Sequence, residues 1–222
     1  HSPYAGDQIF TLDVGIRSDG LLEVHTNGII DVTGRGLRAG NVGSTENLGE
    51  AYDLTAMTIT RLNGEAAGGS HAGRGGRESG SNSGPMYGFA ETPLFYGGGG
   101  GGRFGPGGNG GGIVRIRASE ATVRVDGDVR ADGLGASGGT SGGGAGGSIH
   151  IECETLTGSG TIRAIGGNHT ANFGGGGGGG RVAVHVSTTN DLLPTQFDVT
   201  GGSSGSSSNR AGSGGTLYIR DL

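Results

Sequence analysis

Lysine is absent from this chain, cysteine occurs once, and no long apolar run interrupts it. All 15 basic residues are arginines, set against 20 acidic residues, and the net charge is −5. The arginines are scattered singly, so the chain lacks the basic stripe of a nucleic-acid-binding surface. No apolar stretch approaches the length of a membrane-spanning helix. The single thiol, Cys153, cannot form an internal disulfide and reads as a small apolar core residue. Aromatic residues make up only 5% of the chain and apolar residues 31%, too few for a thick globular core. No apolar stripe of helical period is present either, and glycine is a poor helix interior residue. The chain starts at His1 without a signal sequence, which reads as a processed product or a piece of something longer.

Glycine fills the space left by these absences, with 57 in 222 residues. Four strand-like segments, each opening on glycine, recur along the chain: Gly112–Arg117, Gly147–Glu152, Gly180–His185 and Gly215–Arg220. Their leading glycines are 35, 33 and 35 residues apart. A fixed step in this range marks a supersecondary unit stacked on copies of itself. Within each segment the alternation is strict. Val114 and Ile116, Ile149 and Ile151, Val182 and Val184, and Leu217 and Ile219 share one face, the pattern of half-buried strands. A second row keeps the step at Val129–Ala131, Ile162–Ala164 and Phe197–Val199. Ile30–Val32 lies 99 residues before Val129, which is three periods of 33.

Each period ends in a glycine-rich tract: residues 133–147, 166–180 and 201–215, with a longer one at 97–112. Such composition alone suggests disorder. Ordering it costs about 1–2 kcal/mol per residue, so dense backbone hydrogen bonding must compensate. Glycine chains in a three-residue-per-turn extended form can lie close together because no Cβ intervenes. The expected fold is therefore all-β: a right-handed parallel β-helix, or solenoid, with repeats of about 34 residues. Its glycine tracts are expected to be ordered, stacked and polyglycine-II-like. One domain covers residues 1–222, with residues 1–19 set apart as an N-terminal cap or junction.

The run Gly68-Gly69-Ser70-His71-Ala72-Gly73-Arg74-Gly75-Gly76, then Met86-Tyr87-Gly88, Pro93 and the six glycines 97–102 carry a resemblance. Together with Gly111–Ile116, Gly147–Ile151, Leu156–Ile162 and the closing Gly214–Asp221, they resemble the glycine-rich repeat regions of very large secreted or surface proteins of bacteria and protists. The resemblance covers roughly residues 20–222. It implies an extracellular location and a structural or adhesive role.

Several residue groups carry side chains capable of chemistry. Asp126, Asp128 and Asp132, with Glu152 and Glu154 one repeat on, carry the paired acids that a polysaccharide-cleaving enzyme needs. Arg124 and Arg130 stand beside them, which favours a solvated, charge-balanced face. His150 and His185 are 35 apart but align with Ala183 and Glu152 respectively, and no histidine spacing fits a metal. Asn168-His169-Thr170 is a glycosylation acceptor. Tyr87, Phe89, Phe95, Tyr96 and Phe104 form an aromatic-rich stretch that reads as a binding patch or as packing over the coil. Leu217, Tyr218 and Ile219 sit on an uncapped strand, a candidate assembly edge. The sequence thus points to an extracellular structural protein of a filament, matrix or surface layer. A carbohydrate- or surface-binding adhesin and a polysaccharide-active enzyme are the alternatives. No catalytic residue, cofactor, metal, nucleic acid or membrane insertion is expected. The expected partners are further copies of the chain, neighbouring domains of a larger one, or glycans.

Overall fold

The computed structural model describes residues 9–40, 47–77, 81–136, 139–169, 173–205 and 210–221. Twelve strands run in chain order: β1 (Thr11–Gly15), β2 (Leu21–Val24), β3 (Ile29–Asp31), β4 (Gly49–Asp53), β5 (Thr58–Asn63), β6 (Ile113–Val125), β7 (Asp128–Arg130), β8 (Ser148–Thr157), β9 (Thr161–Arg163), β10 (Arg181–Asn190), β11 (Phe197–Asp198) and β12 (Thr216–Asp221). A 3-10 turn, Pro194–Gln196, precedes β11.

A six-stranded sheet has the order β1-β6-β8-β10-β12, with β2 also beside the long β6; all its pairs are parallel. A four-stranded parallel sheet has the order β11-β9-β7-β3. Ile116, Ile151, Val184 and Ile219 stand in one column, and Ile30, Val129, Ile162 and Phe197 in another. The β-branched residues of both sheets meet in one apolar cluster. It includes Val114, Ile116, Ile149, Ile151, Val182 and Val184, all fully buried, with Cys153 between Ala118 and Val186 in the register. Burial of such aliphatic columns is the main apolar contribution to this fold.

A single right-handed β-helix solenoid is not what forms. The described strands fall into separate sheets, and the third of these, β4 with β5, is an antiparallel hairpin outside both parallel sheets. The offset of 99 residues between Ile30 and Val129 is not filled by intervening turns, because Ile30 pairs directly with Val129. Likewise Leu12 pairs directly with Val114. Among the described residues between β3 and β6, none adds a strand to either parallel sheet. It supplies the hairpin and two glycine-rich stretches instead.

The glycine tracts make a body of their own. From residue 175 to 180, successive N–H groups donate to Ala66, Arg210, Gly167, Gly69, Ser213 and Ala164 carbonyls. Bonds three residues apart thus reach the same neighbouring segment: Gly175 and Gly178 go to 66–69, Gly176 and Gly179 to 210–213, and Gly177 and Gly180 to 164–167. The carbonyls follow the same rule. Those of Gly175 and Gly178 accept from Gly143 and Gly146, those of Gly176 and Gly179 from Gly76 and Gly73, and that of Gly177 from Gly202. Six segments therefore surround this one. A bond direction that returns every third residue is the step of an extended three-fold helix.

Two further tracts repeat the arrangement. N–H groups of residues 97–102 go in pairs to Gly111 and Gly108, Ser70 and Ala67, and Glu50 and Asn47. Those of 142–147 go to Gly101 and Gly98, Gly175 and Gly178, and Leu134 and Ala131. Asn63 stands in for one neighbouring chain: its Nδ2 donates to the carbonyls of Gly99 (2.8 Å) and Glu50 (3.2 Å), while its Oδ1 accepts from Gly84 N–H (2.7 Å). Among the described glycines only Gly34, Gly88 and Gly158 have positive φ. The tracts are glycine for want of space: a Cβ on Gly177 falls inside contact distance of the Gly144 carbonyl.

Candidate functional site

The outward face of the six-stranded sheet carries Arg115, Arg117, His150, Arg181 and His185, opposite in parity to the buried aliphatic columns. Arg117 is exposed and pairs with Asp13 of β1 at 3.0 Å. The neighbouring columns are covered. Residues 87–96 lie across them, held at three points. Arg181 Nη2 and Nε donate to the Tyr87 carbonyl at 2.7 and 3.2 Å. Ser148 Oγ donates to the Phe95 carbonyl at 2.6 Å, and His185 Nε2 donates to the Glu91 carbonyl at 2.8 Å. His150 is consequently buried although its parity is outward. Its ring meets that of His185 edge-on at 5.2 Å, and its Nε2 lies 3.5 Å from Glu152 Oε1. Burial holds its pKa below the ordinary histidine value.

Under the start of this covering segment Tyr52, Tyr87, Phe95 and His71 pack together. Tyr52 meets Tyr87 and Phe95 edge-on at 5.1 and 4.9 Å, and His71 lies against Tyr87 at 5.0 Å. The Tyr87 hydroxyl donates to the Tyr96 carbonyl, and Tyr96 Oη lies 2.8 Å from Thr11 Oγ1. His71 is fully buried with Nδ1 on the Gly146 carbonyl at 2.8 Å. Since a carbonyl only accepts, Nδ1 carries the proton. Burial pushes its pKa down to about 3 and pushes that of Tyr52 up to about 12. Of the aromatic stretch, then, Tyr87 and Phe95 belong to packing, and Phe89 leans on Phe95 from the surface at 68% exposure. Phe104 lies elsewhere, at the far turn of tract 97–112. Tyr52 and His71 join this cluster from outside the aromatic-rich stretch. Their spacing from Tyr87 carries no period.

The carboxylates form a ladder between successive repeats. Asp126 accepts from Ser159 N–H and Oγ and from Arg124 Nε. Asp128 accepts from the Thr161 hydroxyl and Arg130. Asp132 accepts from Ile165 N–H at 3.0 Å and pairs with Arg163 at 2.9 Å. The Arg124 hydrogen bond holds Asp126 below the usual carboxylate range, and the Thr161 hydroxyl does so for Asp128. Burial raises Asp132 instead. Each acid is thus engaged as an acceptor for the repeat that follows it, the role of a structural rung. A general acid needs a held proton beside a substrate cleft, whereas Asp126 and Asp128 are held in their charged form by their partners.

Two open grooves flank the bend of β6. One, of about 680 Å³, is lined by Gly15, Ile16, Arg17, Ser18, Arg117, Ser119 and Glu120. A smaller one of about 160 Å³ touches Cys153, Glu152, His185, Ser119 and Ser187. Burial pushes the Cys153 thiol up to about 12, so a nucleophilic thiolate is not available there. Among the described residues no group of three or more His, Cys, Asp or Glu side chains could hold a metal ion. No described helix is long and apolar enough to cross a membrane.

Asn168 is exposed, and its Oδ1 accepts from Ser203 N–H and Oγ. Thr170, the other half of the acceptor motif, lies outside the described residues. Leu217, Tyr218 and Ile219 lie on β12, an edge strand bonded on one side to β10. Leu217 is 36% exposed, whereas its column mates Val114, Ile149 and Val182 are fully buried. Protein-family models, curated proteins and solved structures, each compared with this chain, gave no match.

Proposed function

We propose that this protein is an extracellular structural protein, a building block of a filament, matrix or surface layer. The three-residue step of hydrogen bonds through the glycine tracts supports the reading most. Each central tract is cross-linked through its backbone to segments distant in sequence. Load on one segment is thereby shared among its neighbours, with no side chain available to yield. Such a body suits bearing and spacing better than chemistry. The carboxylate rungs, tied to the adjacent repeat, serve the same end.

Copies of the chain are the proposed partners, meeting through the edges of the six-stranded sheet. In β12 the alternation of Leu217 and Ile219 matches that of Leu12 and Val14 in β1 at the opposite edge. A contact between two different edges is heterologous, and where the rotation between copies does not close a ring it propagates as a filament. Sedimentation of the purified chain over a range of concentrations, with negative-stain images of the same samples, tests this. Species that lengthen with concentration, and that Leu217→Lys abolishes, are expected. A monomer at every concentration contradicts self-assembly.

A further inference from the structure

Residues 88–94 cross the outward face of the six-stranded sheet between two fixed ends. At one end Tyr87 N–H donates to the His71 carbonyl, and the Tyr87 carbonyl accepts from Arg181. At the other the Phe95 carbonyl accepts from Ser148 Oγ. Among the described residues, none from 88 to 94 makes a backbone–backbone hydrogen bond. The bond from His185 Nε2 to the Glu91 carbonyl is their one hydrogen-bonded tie to the sheet. Gly88 has a φ of 81°, which suits a bend at the end of the span.

The ground beneath the span is incompletely satisfied. His150 and Ala183 have outward parity, adjoin in the register and are buried, and Ala183 stands apart from the apolar core. Neither ring nitrogen of His150 has a hydrogen-bond partner, and nor has Nε of Arg115 on the neighbouring strand. Buried polar groups are nearly always satisfied, so a cover that leaves three nitrogens unpartnered is weakly held. The charged and titratable groups around His150 come from each strand. They are Arg115 from β6, Glu152 from β8, with Oε1 at 3.5 Å, and His185 from β10, with Tyr218 of β12 against its far side. Glu91, the acid of the span itself, is exposed. Burial above all, with His185 and Arg115, outweighs the pull of Glu152 and keeps His150 neutral under the span.

We infer that residues 88–94 are an acid-released lid, with His150 as the group that takes up the proton once the span has lifted. In the closed form His150 resists protonation. Lifted clear, it meets water and takes a proton near the ordinary pH of about 6.5. The open form thus binds one proton more, and its population rises as pH falls below 6.5 or so, by at most about tenfold per pH unit. Opening bares the column Arg115–His150–Ala183–Tyr218, while the aliphatic columns on the opposite face stay packed. The lid does not depend on whether copies assemble.

Thiol labelling of a Cys153→Ala/Ala183→Cys variant tests the inference. Its rate of reaction with dithiodipyridine, divided by that of the unfolded protein at the same pH, reads the open fraction. A rise of about fivefold or more from pH 7 to pH 5 is expected, and none once His150→Gln is added. In the unsubstituted chain Cys153, inside the core, labels far more slowly at both pH values, which separates lid opening from unfolding. A second readout needs no substitution. By NMR, the His150 ring and the Ala90 and Leu94 methyl signals shift with a common midpoint, while the Ile151 methyl signals hold still. The inference is overturned if labelling at position 183 is flat between pH 7 and 5, if its rise survives His150→Gln, or if Cys153 labels as fast. It is also overturned if the lid methyl groups and the His150 ring titrate apart.

Discussion

Gly177 and Gly15 show how differently one residue type is used. A Cβ at Gly177 collides with the backbone of Gly144, whereas one at Gly15 meets nothing within 4 Å. Neither has positive φ, so space alone separates them. Gly177→Ala is expected to destabilise by about 3 kcal/mol or more, since backbone must move. Gly15→Ala is expected to be neutral or to stabilise by up to about 1 kcal/mol. Denaturant melts of both variants check this, and equal midpoints would show the tract to be loosely packed. The buried histidines give the pH dependence. His71, pushed down to about 3, stays neutral in the fold but takes a proton near pH 6.5 when unfolded. His150 is shifted the same way. The unfolded state then binds more protons, so stability is full above pH 6.5 and falls as pH drops from there toward 3. The slope is about 1.4 kcal/mol per pH unit for each such histidine. Asp126 and Asp128, held below the carboxylate range, add a further loss only under pH 4 or so. Melting temperatures between pH 8 and 4 read this out. A flat profile would mean that His71 is hydrated. Cys153 was legible as a core thiol from its alignment with Ala118 and Val186, since strand parity alone decides which face it occupies.

At the scale of elements, the columns of the six-stranded sheet were the easiest part to read. A fixed step and a two-residue alternation specify both register and face, so His150 beside Ala183 and His185 beside Glu152 were fixed before any coordinates. Ile151→Ala is expected to cost about 2–5 kcal/mol, and Leu217→Ala, on the half-open edge strand, under about 1 kcal/mol. Comparable losses for the two would place β12 in the interior. Which side of the sheet is wet was not legible. Residues 87–96 cover the outward face through main-chain carbonyls of Tyr87, Glu91 and Phe95, and a carbonyl leaves no trace in a sequence. Arg181→Ala removes both hydrogen bonds to the Tyr87 carbonyl, one of the three ties. Faster amide exchange across residues 87–96, with β8 and β10 unchanged, is the expected result.

For the whole molecule, the step of 33 to 35 residues invited a single continuous coil, and the chain does not make one. The repeat holds from β6 onward, but Leu12 and Ile30 pair directly with Val114 and Val129. The long stretch between them goes to the antiparallel hairpin and to the glycine body. Nothing in the spacing distinguishes three skipped periods from three filled ones. The three-residue step within the tracts was equally hidden, because identical residues carry no pattern; only the directions of their hydrogen bonds reveal it. The glycine backbone is thereby made the rigid part of the molecule. Residue-resolved amide hydrogen exchange of the glycines at 97–102, 142–147 and 174–180 tests that most directly. Protection matching that of Ile116, Ile151 and Val184 is the predicted result, and exchange at the rate of an unstructured glycine chain would contradict it.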